Sequence, residues 1–451
     1  MASNVPPPDR QRSADELDSK QSRAWFARAK HVLPGGVTRS TIDRSPHPMY
    51  VAKGKGPWLT DIDGNRYLDF ANNFTTLIQG HAFPPVIEAL RQQLESGSCF
   101  SNPTVLEVGL AEVLVERIPV VDQVRFMNTG TEAVMFALKV ARAATGRPKI
   151  AKFEGAYHGA YDWAEVSERS APDTWGTPYP ASVEQYRGMP RSVLDDVVVL
   201  PFNDLELTRQ ILARHTDDLA CVLIDLMPSR IGLIPIDPDY LAFLRRFTKQ
   251  HGALLISDEV LNLRQSHAGA SAAFGVEPDL VAMGKIIGGG LPIGAVGGPA
   301  DVMRVFDDGQ TSLLPQSGTF SANPLSMVAG TAAMTALGPQ DVDHLNRLGQ
   351  AVRDGLNAVI ATHELTFTVT GRASLFRIHP KHPAPRSFRD AYCGPDEVRR
   401  LKGVLDGMRQ RGVVMASMGL GTISTPMTDA HVHRLIEAFK ATVTSRPDLM
   451  R

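Results

Sequence analysis

The sequence predicts an α/β fold in which a large domain on a mainly parallel sheet is followed by a smaller α+β domain. Three observations carry that prediction. At 451 residues the chain exceeds one typical domain, so two are expected. Between Ile78 and Leu337, short apolar runs alternate with helical stretches: Val124 to Met127, Ile150 to Phe153, Val197 to Leu200, Cys221 to Ile224, Leu254 to Ser257 and Leu280 to Met283. Strand followed by helix, repeated, places the strands parallel with helices on both faces. After the break at Leu337, Gly338 and Pro339 the pattern changes to a long helix, the strand-like Leu375 to His379, a helix near Val398 to Arg411 and a terminal helix.

Taken in order, residues 1–22 lack apolar periodicity and hold three consecutive prolines, so a flexible tail is expected there. A short helix through Trp25, Phe26, Ala29 and Val32 should stop at Pro34 and Gly35. Residues 23–77 read as a segment that packs with the small domain, and within it Asp63 and Gly64 sit between apolar flanks as a hairpin turn does. The large domain spans 78–337 and the small one 338–451.

Hydrophobic residues at 43% and charged residues at 21% describe an ordinary soluble protein. A net charge of −1, with basic residues spread along the chain, argues against nucleic acid or an anionic membrane as main partner. The first residues hold no apolar core of a secretory signal, and no run of about 18 apolar residues occurs, so a cytoplasmic location is expected. Cys99, Cys221 and Cys393 lie far apart without a C-x-x-C spacing, which supports neither a disulfide framework nor a metal site.

The chemistry concentrates between Gly252 and Gly298. The run Ala253 to Ile256 ends in Asp258 and Glu259, as a buried parallel strand does when it delivers a polar group at its carboxyl end. Side chains alternate along a strand, so Asp258 and Val260 share a face and Glu259 points away. Lys285 follows the apolar run Leu280 to Met283 and precedes Gly288, Gly289 and Gly290. A carboxylate, an apolar side chain and a partly desolvated lysine suit a cofactor with a basic ring nitrogen and an aldehyde. The acid keeps the nitrogen protonated, the valine packs on the ring, and the lysine forms an imine. Pyridoxal 5′-phosphate is such a cofactor.

Upstream, NTGTEAVMFALKVARAATG (residues 128–146) opens a helix with small and hydroxyl residues after a strand. Its first turn offers unpaired N–H groups and the positive end of the helix dipole, with Thr129 and Thr131 adding hydroxyls, so a phosphate fits there. Thr129 serves equally as a plain helix cap. Gly130 would let a phosphate approach the backbone closely. In KFEGAYHG the strand breaks at Gly155, which puts Tyr157 and His158 on a loop at the sheet's edge, His158 equally as a surface residue.

These pieces, together with PGGVTRS, DIDGNRYLDF, SDEV, GKIIGGG and SGTFSANP, resemble the class III pyridoxal-phosphate aminotransferases over about Pro34 to Thr428. Within that class the likeness is to the β-amino-acid (β-phenylalanine type) aminotransferases and to glutamate-1-semialdehyde aminomutase. The resemblance implies a fold-type-I (aspartate aminotransferase-like) enzyme in which Lys285 carries the cofactor, Asp258 meets its ring nitrogen, and Tyr157 stacks opposite Val260. Thr129, Gly130 and Thr131 would hold the phosphate, with His158 nearby. Glu132 takes a structural role, and Asp225 stands where relatives carry a glutamate followed by proline, which puts its usual support of the site in question. Thr319, in QSGTFSANP, would reach the phosphate of a neighbouring subunit, which implies a homodimer.

For substrate, the resemblance assigns the carboxylate of a β-amino acid to Arg39, in LPGGVTRS. Arg264, soon after SDEV, is the alternative. The aminomutase arginine falls where this chain has Ile42, and its C-terminal-loop glutamate has no counterpart in MASMGLGTIS (residues 415–424). Met418 stands about where the characterised β-aminotransferases place a second arginine. The implied reaction moves an amino group from a small-molecule donor to a 2-oxo acid acceptor; the alternatives are an aminomutase-type isomerase and a non-catalytic cofactor-binding protein.

Overall fold

A computed structural model describes residues 19–307, 309, 313–446 and 449; the tail expected at 1–18 lies outside them. Residues 20–22, expected in that tail, open a helix instead. It runs Lys20–Val32, and the Ser19 hydroxyl caps it by accepting from Ser22 N at 3.3 Å. Three antiparallel strands follow: β1 (Val51–Lys55), β2 (Trp58–Asp61) and β3 (Arg66–Asp69). Thr60 faces Arg66 across the predicted turn, where Gly64 takes a φ of 85°.

All six predicted apolar runs form strands of one seven-stranded sheet: β4 (Gln123–Met127), β5 (Lys149–Phe153), β6 (Val197–Leu200), β7 (Leu219–Ile224), β8 (Leu254–Asp258) and β9 (Leu280–Gly284). The seventh, β10 (Gly294–Gly298), lies antiparallel between β4 and β9, and the sheet order is β4-β10-β9-β8-β7-β5-β6. Parallel pairing links β6, β5, β7, β8 and β9. The GAVGG strand lacks the side chains that mark a strand in a sequence, and its environment explains why. A β-carbon on Gly294 would lie 1.9 Å from the Thr129 carbonyl.

Past the long Pro339–Thr362 helix, β11 (Thr368–Thr370), β12 (Leu375–His379) and β14 (Leu420–Thr422) form a second antiparallel sheet. The short β13 (Val413–Val414) instead joins β3 in parallel, tying the leader to the C-terminal region. One apolar cluster runs from Leu68 and Phe70 through Leu348 and Val352 to Leu435 and Phe439, so this contact is a packed core. Asp258 and Lys285 both sit at the carboxyl ends of adjacent parallel strands, the edge where α/β sheets place ligands.

Candidate active site

Asp258 ends β8 and is 5% exposed. Its Oδ1 accepts from Val260 N at 3.0 Å and its Oδ2 from His158 Nδ1 at 2.7 Å. The carboxylate can only accept, so the His158 proton lies on Nδ1. Burial pushes the His158 pKa down and keeps the ring neutral, while its buried Nε2 has no partner among the described residues. His158 is therefore no surface residue; it orients Asp258. Glu259 points the other way as alternation requires, and its carboxylate accepts from Ala270 N at 2.6 Å and Ser271 N at 2.8 Å.

Lys285 follows β9 with a φ of 51°, a left-handed conformation that a non-glycine residue adopts only when its surroundings enforce it. The surroundings are tight behind it: a β-carbon on Gly289 would lie 2.4 Å from the Ala329 carbonyl. Burial lowers the Lys285 pKa, and the charges of Asp258 and Asp225 pull it back up. Asp225, the shorter acid in place of a glutamate, is buried within that same field. Its Oδ1 accepts from Asn262 Nδ2 at 2.5 Å and Met227 N at 2.9 Å, and its pKa is raised, by burial first and the Asp258 charge second.

The Gly130–Thr145 helix begins with Thr129 as its cap: Thr129 Oγ1 accepts from Glu132 N at 3.1 Å, and Glu132 Oε2 accepts from Asn128 N at 2.6 Å. Glu132 thus has the structural role expected of it. The hydroxyl of Thr131 accepts from Ala160 N at 3.1 Å and so ties the Tyr157 loop to the helix. First-turn N–H groups have no intrahelical partner, which leaves those of Gly130 and Thr131 to face an anion. Gly130 has a reason beyond phosphate approach: a β-carbon there would lie 2.7 Å from Val260 Cγ1, so the valine fills that space and faces the helix start.

Tyr157 is 48% exposed, with the Arg230 guanidinium 5.5 Å from its ring centre and Arg230 paired to the buried Glu168 at 3.2 Å. Sequence reasoning passed over Arg230, and over Lys152 as well. The Lys152 ammonium, wholly buried, donates to Ala156 O at 3.2 Å and Val166 O at 2.8 Å, and anchors the loop that carries Tyr157 and His158. A lysine inside the apolar run IAKF was the available signal.

The two candidate arginines separate. Arg264 is fully buried and spends its donors on Ser374 Oγ at 2.9 Å, Thr75 O at 3.0 Å and Ile423 O. Arg39 is exposed, and its Nη1 donates to the neutral Asn73 Oδ1 at 2.9 Å. Thr319 lies in an exposed turn beside Phe320. Among the described residues no group of three or more His, Cys, Asp or Glu could hold a metal.

Pyridoxal phosphate fits this set. The lowered pKa of Lys285 suits covalent capture of an aldehyde, and the preoriented Asp258 suits a ring nitrogen. Val260, packed against Gly130 and Gly284, suits a ring face, and the capped helix start suits a phosphate.

The Aminotransferase class-III family matches residues 41–443. Glutamate-1-semialdehyde 2,1-aminomutase of Methanothrix thermoacetophila is 38% identical over 95% of this chain and 97% of its own. Among solved structures, an omega-transaminase from Sphaerobacter thermophilus superposes with a TM-score of 0.93 at 45% identity, covering 96% of this chain and 99% of that one. A β-phenylalanine aminotransferase from Variovorax paradoxus gives a TM-score of 0.86 at 34% identity and 95% coverage of each chain. With the Lys285 and Asp258 geometry at the sheet's carboxyl edge, these matches establish that the chain belongs to the class III aminotransferases, enzymes that work with pyridoxal phosphate.

Proposed function

We propose that this enzyme transfers the amino group of a β-amino acid to a 2-oxo acid. Arg39 carries the reading. Its guanidinium is exposed, its hydrogen-bond partner is a neutral amide, and the Phe74 ring centre lies 5.8 Å from Cζ. A charge left uncompensated among the described residues, on a planar fork, suits a substrate carboxylate. Likeness to the β-phenylalanine aminotransferase supports a β-placed amine.

Pyridoxal phosphate, when bound, supplies the electron sink that lets the C–H bond beside the amine ionise. The start of the Gly130–Thr145 helix, with Thr129, Gly130 and Thr131, would hold the phosphate, and Val260 and Tyr157 would lie against the ring. Asp258, fixed by His158 and Val260 N, keeps a proton on the ring nitrogen. Lys285 Nζ would be the group that holds the aldehyde, and as a free amine it would accept the proton that leaves the carbon bearing the substrate's amine.

The working unit of this reading is a homodimer, with Thr319 of one subunit reaching the phosphate of the other. Val108, 54% exposed, and Phe320, 57% exposed, support an interface on that surface, as does the groove that Val108 and Ala111 line with Gly318 and Ala322. Free thiols at Cys99, Cys221 and Cys393 suit a reducing cytoplasm. Among the described residues no helix is long and apolar enough to cross a membrane.

A second reading, the aminomutase, is favoured by the 38% identity to the Methanothrix enzyme. Ile42 and the Met415–Ser424 loop, which by resemblance lack the arginine and glutamate of the aminomutases, weigh against it. The two are separated by a donor and acceptor screen run beside Arg39→Ala. Losing a charge-assisted contact should cost a β-amino acid about 10- to 100-fold in kcat/KM, with cofactor content unchanged and donors lacking a carboxylate little affected. Equal loss for charged and uncharged donors overturns the assignment. So does efficient conversion of glutamate-1-semialdehyde to 5-aminolevulinate without added oxo acid.

A further inference from the structure

After β3 the chain enters an uncommon turn. Asn72, Asn73, Phe74 and Thr75 have φ values of 44°, 47°, 53° and 75°, four successive residues in the left-handed region with no glycine among them. Each position carries a steric penalty between its β-carbon and the backbone. The surroundings hold the turn from several sides. Asp69 Oδ1 accepts from Ala71 N at 2.8 Å and Asn72 N at 3.1 Å, and Asn72 Nδ2 donates to Thr422 O at 3.1 Å. The buried Arg264 donates to Thr75 O at 3.0 Å. Strain locked in this way points to a task.

What the turn displays is Asn73. Its side chain is exposed at the crest, and its Oδ1 accepts from Arg39 Nη1 at 2.9 Å. Asparagine tolerates a left-handed φ better than most residues, and its oxygen is a neutral acceptor. An aspartate would hold the guanidinium equally well and cancel its charge.

We infer that Asn73 is a positioning residue for carboxylate recognition: the left-handed turn aims a neutral acceptor at Arg39, fixing the guanidinium while leaving its charge for the substrate. The inference rests on the proposed role of Arg39 in substrate binding. The turn itself is braced by Arg264, so the two arginines near β3 divide the work: the buried one shapes the platform and the exposed one meets the ligand.

The test is Asn73→Asp in the cofactor-loaded enzyme. KM and kcat are measured for a β-amino acid and for an amine without a carboxylate, and calorimetry gives the Kd of 3-phenylpropanoate, a carboxylate that cannot react. KM and Kd for the carboxylates should rise up to about fivefold, the competition one exposed ion pair provides. The kcat, cofactor content and KM of the uncharged amine should stay unchanged. Asn73→Gly keeps the left-handed φ without strain and lacks the acceptor; it should weaken carboxylates by about threefold with the same selectivity, and it decides the matter should Asn73→Asp not fold. In an Arg39→Ala background neither change should act further. If Arg39→Ala leaves carboxylate KM unaltered, the proposed function falls and this inference with it. If Arg39→Ala weakens carboxylates but both Asn73 variants match wild type, this inference alone falls. Equal loss with charged and uncharged donors would show a purely structural role and overturn it too.

Discussion

Replacing Asp258 by asparagine preserves volume and removes charge, and its consequences divide into two separate channels. Oδ1 accepts from Val260 N and Oδ2 from His158 Nδ1. The amide can keep the first bond through its carbonyl oxygen, but it then presents an NH2 group to His158. Nδ1 must become an acceptor, and the ring proton moves to Nε2, a buried atom without a partner among the described residues. An unsatisfied buried N–H costs about 1–3 kcal/mol, and loss of the charge-assisted bond about 1.5–3 kcal/mol. Stability should therefore fall by roughly 2.5–6 kcal/mol. The catalytic channel is independent. An anion close to a cation favours it by about 1–3 pKa units, so removing the carboxylate should cut the protonated share of the ring nitrogen, and kcat with it, by up to about 10- to 1000-fold. Denaturation midpoints, cofactor occupancy and single half-reactions at saturating donor measure the two channels on one protein. A kcat within about threefold of wild type at full occupancy would refute the ring-nitrogen assignment, whatever happens to stability.

Lys285→Ala should still bind cofactor, but borohydride should no longer fix it to the chain as judged by mass, and turnover should drop by at least about 100-fold; near-native turnover removes the central residue. Phe320→Asp places a charge on an apolar surface residue that is 57% exposed, and under the proposed dimer light scattering should find the wild type as a dimer and this variant as a monomer. A dimer that survives unchanged moves the interface elsewhere. His379 is buried, and its pKa is pushed down from 6.5 to about 3 by burial first and the Arg377 charge second. The unfolded chain takes up that proton below pH 6.5 whereas the folded one does not until about pH 3, so stability falls as pH drops through this window. At pH 5 the cost is about 2 kcal/mol. Chemical denaturation at pH 7 and pH 5 should show His379→Gln losing about 2 kcal/mol less than wild type between the two; equal losses mean that another group sets the slope.

Legibility from sequence followed the length scale of the interaction. The strands that carry Asp258 and Lys285 are apolar runs with a polar residue at one end, a pattern readable within ten residues. The strand Gly294–Gly298 is invisible by that rule, because its glycines are demanded by other segments: Gly294 by Thr129, Gly297 by Val121 and Gly298 by Asp279. Alternation placed Asp258 and Val260 on one face and Glu259 on the other. It could not supply His158, 100 positions away, as the partner of Asp258. Lys152 sat in plain sight within an apolar strand, yet only the carbonyls of Ala156 and Val166 give it a purpose.

The arginines show most clearly what burial adds to a sequence. Arg39 and Arg264 are both cations near readable motifs, and charge alone does not rank them. Once folded, Arg264 is enclosed by Ser374, Thr75 and Ile423, three segments distant from one another, so its charge organises the protein and is spent there. Desolvation, with no counter-ion among the described residues, even lowers its pKa to about 9, a cost tolerated because it stitches the left-handed turn to the C-terminal strands. Arg39 carries the same charge in water, held by one neutral oxygen. A substrate carboxylate at Arg264 would have to displace bonds that shape the fold, whereas at Arg39 it displaces solvent. Under the proposed function the same side chain serves architecture in one place and recognition in the other, and the partner, not the residue type, makes the difference.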